Sequence, residues 1–83
     1  MQLVNTPKIK DKYLLIRIKE SWKVHFGGSI EKHTTDIRFR EGVLSLVINS
    51  APLKHELSLG KDKIIRILNE ALGQEYIKEV HIY

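Results

Sequence analysis

Residue types and spacing come closest to chemistry in the stretch Leu57-Ser58-Leu59-Gly60-Lys61-Asp62-Lys63. A glycine followed at once by a lysine suits a turn that grips phosphate. Glycine lets the backbone approach an anion, and the N-terminus of a following helix favours negative charge. A nucleotide-hydrolysing phosphate loop needs more: an earlier glycine, four residues, then Gly-Lys and a Ser or Thr to hold Mg2+. Here Leu57-Ser58-Leu59 precede Gly60, and Asp62 stands where the hydroxyl belongs. The segment before Gly60 also has helical rather than strand character. The stretch therefore does not read as a nucleotide loop. Two readings remain. It is a backbone clamp for nucleic acid, or a plain break in which Gly60 ends a helix in a left-handed conformation and Lys61, Asp62 and Lys63 form a solvated first turn.

Other chemistry finds less support. Catalysis needs a nucleophile beside a base, or paired carboxylates in a pocket. His55 and Ser58 lie three apart with no evident third group and read as two surface polar residues. No catalytic residue is expected. His25, His33, His55 and His81 are joined by no cysteine, and none is paired at the four-residue spacing of helical zinc ligands. No metal and no cofactor are expected. Trp22 could offer a base-stacking platform, but it shares a helical stripe with Ile18 and Phe26 and reads as core.

Basic side chains supply the remaining candidates. Lys54, Lys61, Lys63 and Arg66 fall around the Gly60 corner, and Arg38 and Arg40 lie on the polar face of a strand. Glu56, Asp62 and Glu70 dilute their field. The contact expected is with DNA or RNA, weak, salt-sensitive and independent of sequence. The formal charge of +4 permits a nucleic-acid or an acidic protein partner.

The elements that would position these residues follow from periodicity. Eighty-three residues allow one core. Residues 1–9 read as an irregular lead-in and 10–83 as a single domain. A helix over about 10–26 carries Leu15, Ile18, Trp22 and Phe26 on one face, with Tyr13, Ile16 and Val24 as a second apolar flank. Gly27-Gly28 stops it, and Ser29 suits the cap of a short turn over 30–33. Thr34 to Arg40 alternates, Glu41-Gly42 signals a tight turn, and Val43 to Asn49 alternates again, which predicts a hairpin. Ser50 and Pro52 open a helix that Gly60 interrupts. It resumes with Ile64, Ile67, Leu68, Ala71 and Leu72 inward and Lys63, Arg66, Asn69 and Glu70 outward, and Gly73 stops it. A last strand places Val80 and Ile82 inward. The fold class expected is α+β, a two-layer fold of order α-β-β-α-α-β: a three-stranded sheet with helices on one face and Asp36, Arg38, Arg40, Ser45, Asn49, Glu79, His81 and Tyr83 on the other. There is no cysteine, no apolar run of membrane-spanning length and no secretory leader pattern, so a cytoplasmic protein with no membrane contact is expected.

This order resembles the type II KH domain, whose GXXG loop between two helices clamps about four nucleotides of backbone. Gly60-Lys61-Asp62-Lys63 keeps the first glycine and has Lys63 in place of the second. Three longer stretches, Glu20 to Thr34, Gly42 to Leu57 and Ile64 to Ile82, resemble the bacterial DciA-like family. They match its Trp, Gly and His-Thr pattern, its strand, small-residue turn and helix, and its Leu-Asn-x-x-Leu-Gly ending with a following strand. The resemblance implies a KH-like domain that binds nucleic acid and the replicative helicase, an accessory of DNA replication associated with the nucleoid and without catalytic residues. It also implies a helix ahead of this region, on which Tyr13 and Ile16 would pack, and a basic tail in longer relatives, whereas this chain ends at Tyr83. The competing expectation is a protein-interaction domain without nucleic-acid binding, using the open sheet face or the Tyr13/Ile16 flank.

Overall fold

A computed structural model describes residues 6–83. Its first element, α1, spans Thr6–Lys32, so the helix begins four residues before the expected start; residues 1–5 of the expected lead-in lie outside the described residues. Leu14, Ile18 and Trp22 are buried on a single four-residue ridge that Phe26 continues, half-buried. Leu15, assigned to this ridge from sequence, sits one residue further round and is only half-buried. A ridge of i, i+4 positions presents one row of side chains to the surface it crosses. Leu14 belongs to that row and Leu15 does not.

Trp22 is the largest fully buried side chain. Its indole stacks on Phe26 at 4.3 Å between ring centroids, and its Nε1–H donates to Thr34 Oγ1 at 3.0 Å. The Thr34 hydroxyl in turn donates to the Ile30 carbonyl at 2.6 Å. This relay ties the helix to the first strand across the bend at Gly27-Gly28. Gly28 has φ 53 and ψ −130, a conformation that side chains other than glycine rarely adopt. The helix is broken there, as the paired glycines predict.

β1 (Thr34–Arg40) and β2 (Val43–Ile48) pair antiparallel, with Ile37 opposite Leu46 and Phe39 opposite Leu44. Glu41 and Gly42 have φ 49 and 84, the two left-handed residues of a type I′ hairpin turn. Gly42 has a second duty. Its carbonyl accepts from the amides of Lys78 and Glu79 at 2.7 and 3.1 Å, and an added Cβ would lie 3.0 Å from Lys78 Cγ. The turn thereby holds the entry of β3 (Glu79–Ile82), which pairs parallel to β2. Strand order is β1-β2-β3, a mixed sheet with β2 central.

α2 (Ala51–Leu59) and α3 (Lys61–Leu72) form the crossover that a parallel neighbour requires. Ser50 Oγ caps α2 by accepting from Leu53 N, and Gly73, at φ 87, ends α3 in the left-handed conformation. Leu57, Ile64, Leu68 and Leu72 from the two helices, with the α1 ridge, cover the inward side chains of all three strands. The architecture is α+β in the order α-β-β-α-α-β, matching the KH-like arrangement expected from sequence.

Asn69 corrects the expectation for α3. It was placed on the polar face but is buried. Its amide donates to the Ile77 carbonyl at 3.0 Å and its Oδ1 accepts from the Ile77 amide at 2.9 Å. The chain between α3 and β3 has no strand partner at Ile77, and the Asn69 side chain takes that place. Ile77 itself is 1% exposed, a core residue that periodicity did not reveal because it belongs to no regular element. Asn69→Ala would leave both backbone groups buried without partners. It is expected to lower the unfolding free energy by about 2–4 kcal/mol, measured by urea denaturation. A loss under about 0.5 kcal/mol, the usual range of surface substitutions, would show that Asn69 does not hold this segment.

Candidate nucleic-acid interface

Gly60 alone joins α2 to α3. Its N–H donates to the Leu57 carbonyl at 3.1 Å, and its carbonyl accepts from Ile64 N at 3.0 Å. It therefore closes one helix and opens the next. Its φ of −121 and ψ of 32 are not left-handed, which corrects that part of the plain-break reading, while the break itself and the first turn after it are as that reading has them. No four-residue loop exists here: Lys61, Asp62 and Lys63 are the first turn of α3. Apart from Leu59, Gly60 and Lys61 themselves, no heavy atom lies within 4 Å of where a Gly60 Cβ would stand. Neither backbone conformation nor crowding within the chain calls for a glycine at this corner.

Around this open backbone the side chains are uncommitted. Leu59 is 76% exposed. Lys63 and Arg66 are exposed, Lys54 and Lys61 half-buried, and among the described residues none of these four cations is in an ion pair. No side chain caps α3, so its first-turn amides have no side-chain partner. Asp62 lies in that same turn. Arg66 follows Asp62 and precedes Glu70 at four-residue spacing and lines a shallow groove between α3 and residues 73–78 with both of them, Glu75 and Lys78. Its surroundings are thus of mixed sign, and Asp62 also stands between Lys61 and Lys63.

Arg38 and Arg40 are not brought to this corner. They stand on the outer sheet face, across the sheet from the helices, and both have acidic neighbours. Arg38 Nε lies 2.8 Å from Asp36 Oδ2, and Arg40 Nε lies 3.9 Å from Glu41 Oε2. His81 contacts Glu79 at 3.0 Å and faces the Tyr83 ring at 6.4 Å. His33 Nδ1 is 2.8 Å from Asn49 Oδ1. Among the described residues no three His, Asp or Glu converge as a metal site, and no helix is long and apolar enough to cross a membrane.

One basic surface carries no motif. Residues 1–32 hold seven Lys or Arg and three Asp or Glu, and residues 33–83 hold seven of each. The whole +4 belongs to the first 32 residues. On α1, Lys12, Lys19 and Lys23 are exposed. The signal was available as a charge count by segment, but these lysines lie at helical spacing with no motif to mark them.

The Arg38–Asp36 pair has a measurable consequence. The Arg38 guanidinium, with the Ile37 amide assisting, holds the Asp36 carboxyl below its ordinary value near 3.8. A carboxyl depressed in the folded state adds stability above its unfolded pKa, and that stability is lost as pH falls through the folded pKa. The pair is exposed, so the contribution is small. Arg38→Ala is expected to raise the Asp36 midpoint toward 3.8, followed by carboxyl 13C shifts against pH. An unchanged midpoint would mean that Arg38 is not the cause.

A family model described as "Dna[CI] antecedent, DciA" matches residues 1–82. No curated protein and no solved structure matches the chain. The family match spans α1 through β3 and takes in both the corner at Gly60 and the basic helix. The chain belongs to the DciA family, a family tied to the loading of the replicative DNA helicase.

Proposed function

We propose that the chain is a non-enzymatic accessory of DNA replication whose α2–α3 corner contacts the nucleic-acid backbone, weakly and without sequence preference, while the domain engages the replicative helicase. Family membership supports the replication setting. The observation that carries the nucleic-acid reading is Gly60: an uncrowded glycine between two helices, followed by unpaired Lys61 and Lys63.

The physical logic is simple. A side chain at position 60 would cover the start of α3, and glycine leaves it bare. The first-turn amides, capped by no side chain, and the positive end of the helix dipole favour a phosphate there. Lys61 and Lys63 bring mobile positive charge, and Lys54 on α2 adds a further cation. Asp62 opposes them, which keeps the contact weak. Arg38 and Arg40 have a smaller part in this reading, because carboxylates already accompany them.

The alternative, a protein-interaction module without nucleic-acid binding, is favoured by the exact balance of charge over residues 33–83. Titration of a labelled single-stranded DNA and a labelled duplex at low and moderate salt separates the two. Binding at low salt that weakens as salt rises supports the proposal. Lys61→Ala and Lys63→Ala are each expected to weaken binding to all sequences alike and to lower the salt slope by about 1. Gly60→Gln is expected to weaken binding while leaving stability within about 0.5 kcal/mol, as for an uncrowded surface site. No binding at low salt, or unchanged binding by these variants, would favour the protein-interaction module.

A further inference from the structure

The outward face of α1 is apolar along its centre and basic along one side. Tyr13, Ile16 and Val24 are 59, 60 and 77% exposed, among the few large hydrophobics that the fold leaves uncovered. With Glu20 they follow helical spacing and form one stripe opposite the buried Leu14-Ile18-Trp22 ridge. From Tyr13 to Val24 the stripe is about 17 Å long, three turns of helix. Lys12, Lys19 and Lys23, all exposed, run along one flank. Within the chain these lysines make no ion pair among the described residues.

We infer that this face docks an acidic amphipathic helix of a partner protein. The stripe supplies apolar contacts at Tyr13, Ile16 and Val24, three and eight residues apart with Glu20 between the last two, on the side of the helix by which helices pack side by side. The lysine flank then selects a partner with Asp or Glu beside its own apolar stripe, and Glu20 selects a basic residue opposite itself. Charge decides against other occupants. A second copy would set Lys12, Lys19 and Lys23 against the same lysines, which like-charge repulsion disfavours. Nucleic acid would satisfy the lysines but bring phosphate to Glu20 and leave Tyr13, Ile16 and Val24 uncovered. A lipid surface would take lysines and apolar groups, yet the stripe is one side chain wide and interrupted by Glu20, against the broad apolar face such helices use.

The inference does not depend on nucleic-acid binding at Gly60, and the test keeps them apart. The full chain is titrated into a fluorescein-labelled amphipathic peptide of about 18 residues, long enough to cover the stripe, with leucine at the apolar positions and glutamate on the flanks. A matched peptide carries lysine on the flanks. The expected result is at least tenfold tighter binding of the acidic peptide, loss of that binding in Ile16→Glu, and reversal of peptide preference in Lys19→Glu/Lys23→Glu. Lys61→Ala/Lys63→Ala should leave peptide binding unchanged. The inference is overturned if both peptides bind alike or neither binds. It is also overturned if Ile16→Glu changes only self-association in sedimentation, or if the lysine reversal changes only the binding of single-stranded DNA or of phosphatidylserine vesicles. Ile16, Lys19, Lys23 and Lys63 are exposed and Lys61 is half-buried, and circular dichroism melts of each variant confirm folding before titration.

Discussion

Everything in this molecule leans on the inward face of β2. Leu44 and Leu46 are fully inaccessible and Ile48 nearly so. β1 pairs on one side and β3 on the other, while the helices close over the top. A central strand buried on one face only fixes the rest by alternation. Val43, Ser45 and Val47 must point the other way, toward the outer sheet face, where they are half-buried. The parallel pairing of β3 then requires a crossover, and α2 with α3 provides it. The Gly60 corner exists because two helices, rather than one, make that crossover.

Much of this was legible in the residues. Alternation located both hairpin strands and their inward sets, and Glu41-Gly42 announced the turn. The paired glycines at 27 and 28, the cap at Ser50 and the stop at Gly73 all mark real changes of backbone. What escaped was tertiary. Asn69 looked like a surface residue because polarity is a good guide to exposure except where a side chain must replace a missing backbone partner. Ile77 lies outside any periodic segment, so no pattern could assign it. Leu14 and Leu15 are equally apolar, and only the ridge that crosses the sheet chooses between them.

The candidate site was legible in part. Lys61 and Lys63 stand beside an open Gly60, as their spacing suggested, but the four-residue loop was absent and the glycine was not left-handed. The arginines of β1 were separated from the corner by the thickness of the domain and matched with acids that sequence placed beside them. Charge by segment mattered more than any motif. The balanced half of the chain carries the crossover corner, and the unbalanced half carries the long helix. Two faces of different character follow: a small corner to which we assign phosphate and an amphipathic helical face to which we assign protein.

The central claim is that nucleic acid meets the start of α3 and not the sheet. Amide chemical-shift mapping with a short single-stranded DNA at low salt tests it residue by residue. The account predicts that the largest shifts fall on Leu59 through Ile64, with Arg38 and Arg40 little changed. Shifts centred on β1, or none at Gly60 while the oligonucleotide binds elsewhere, would contradict it.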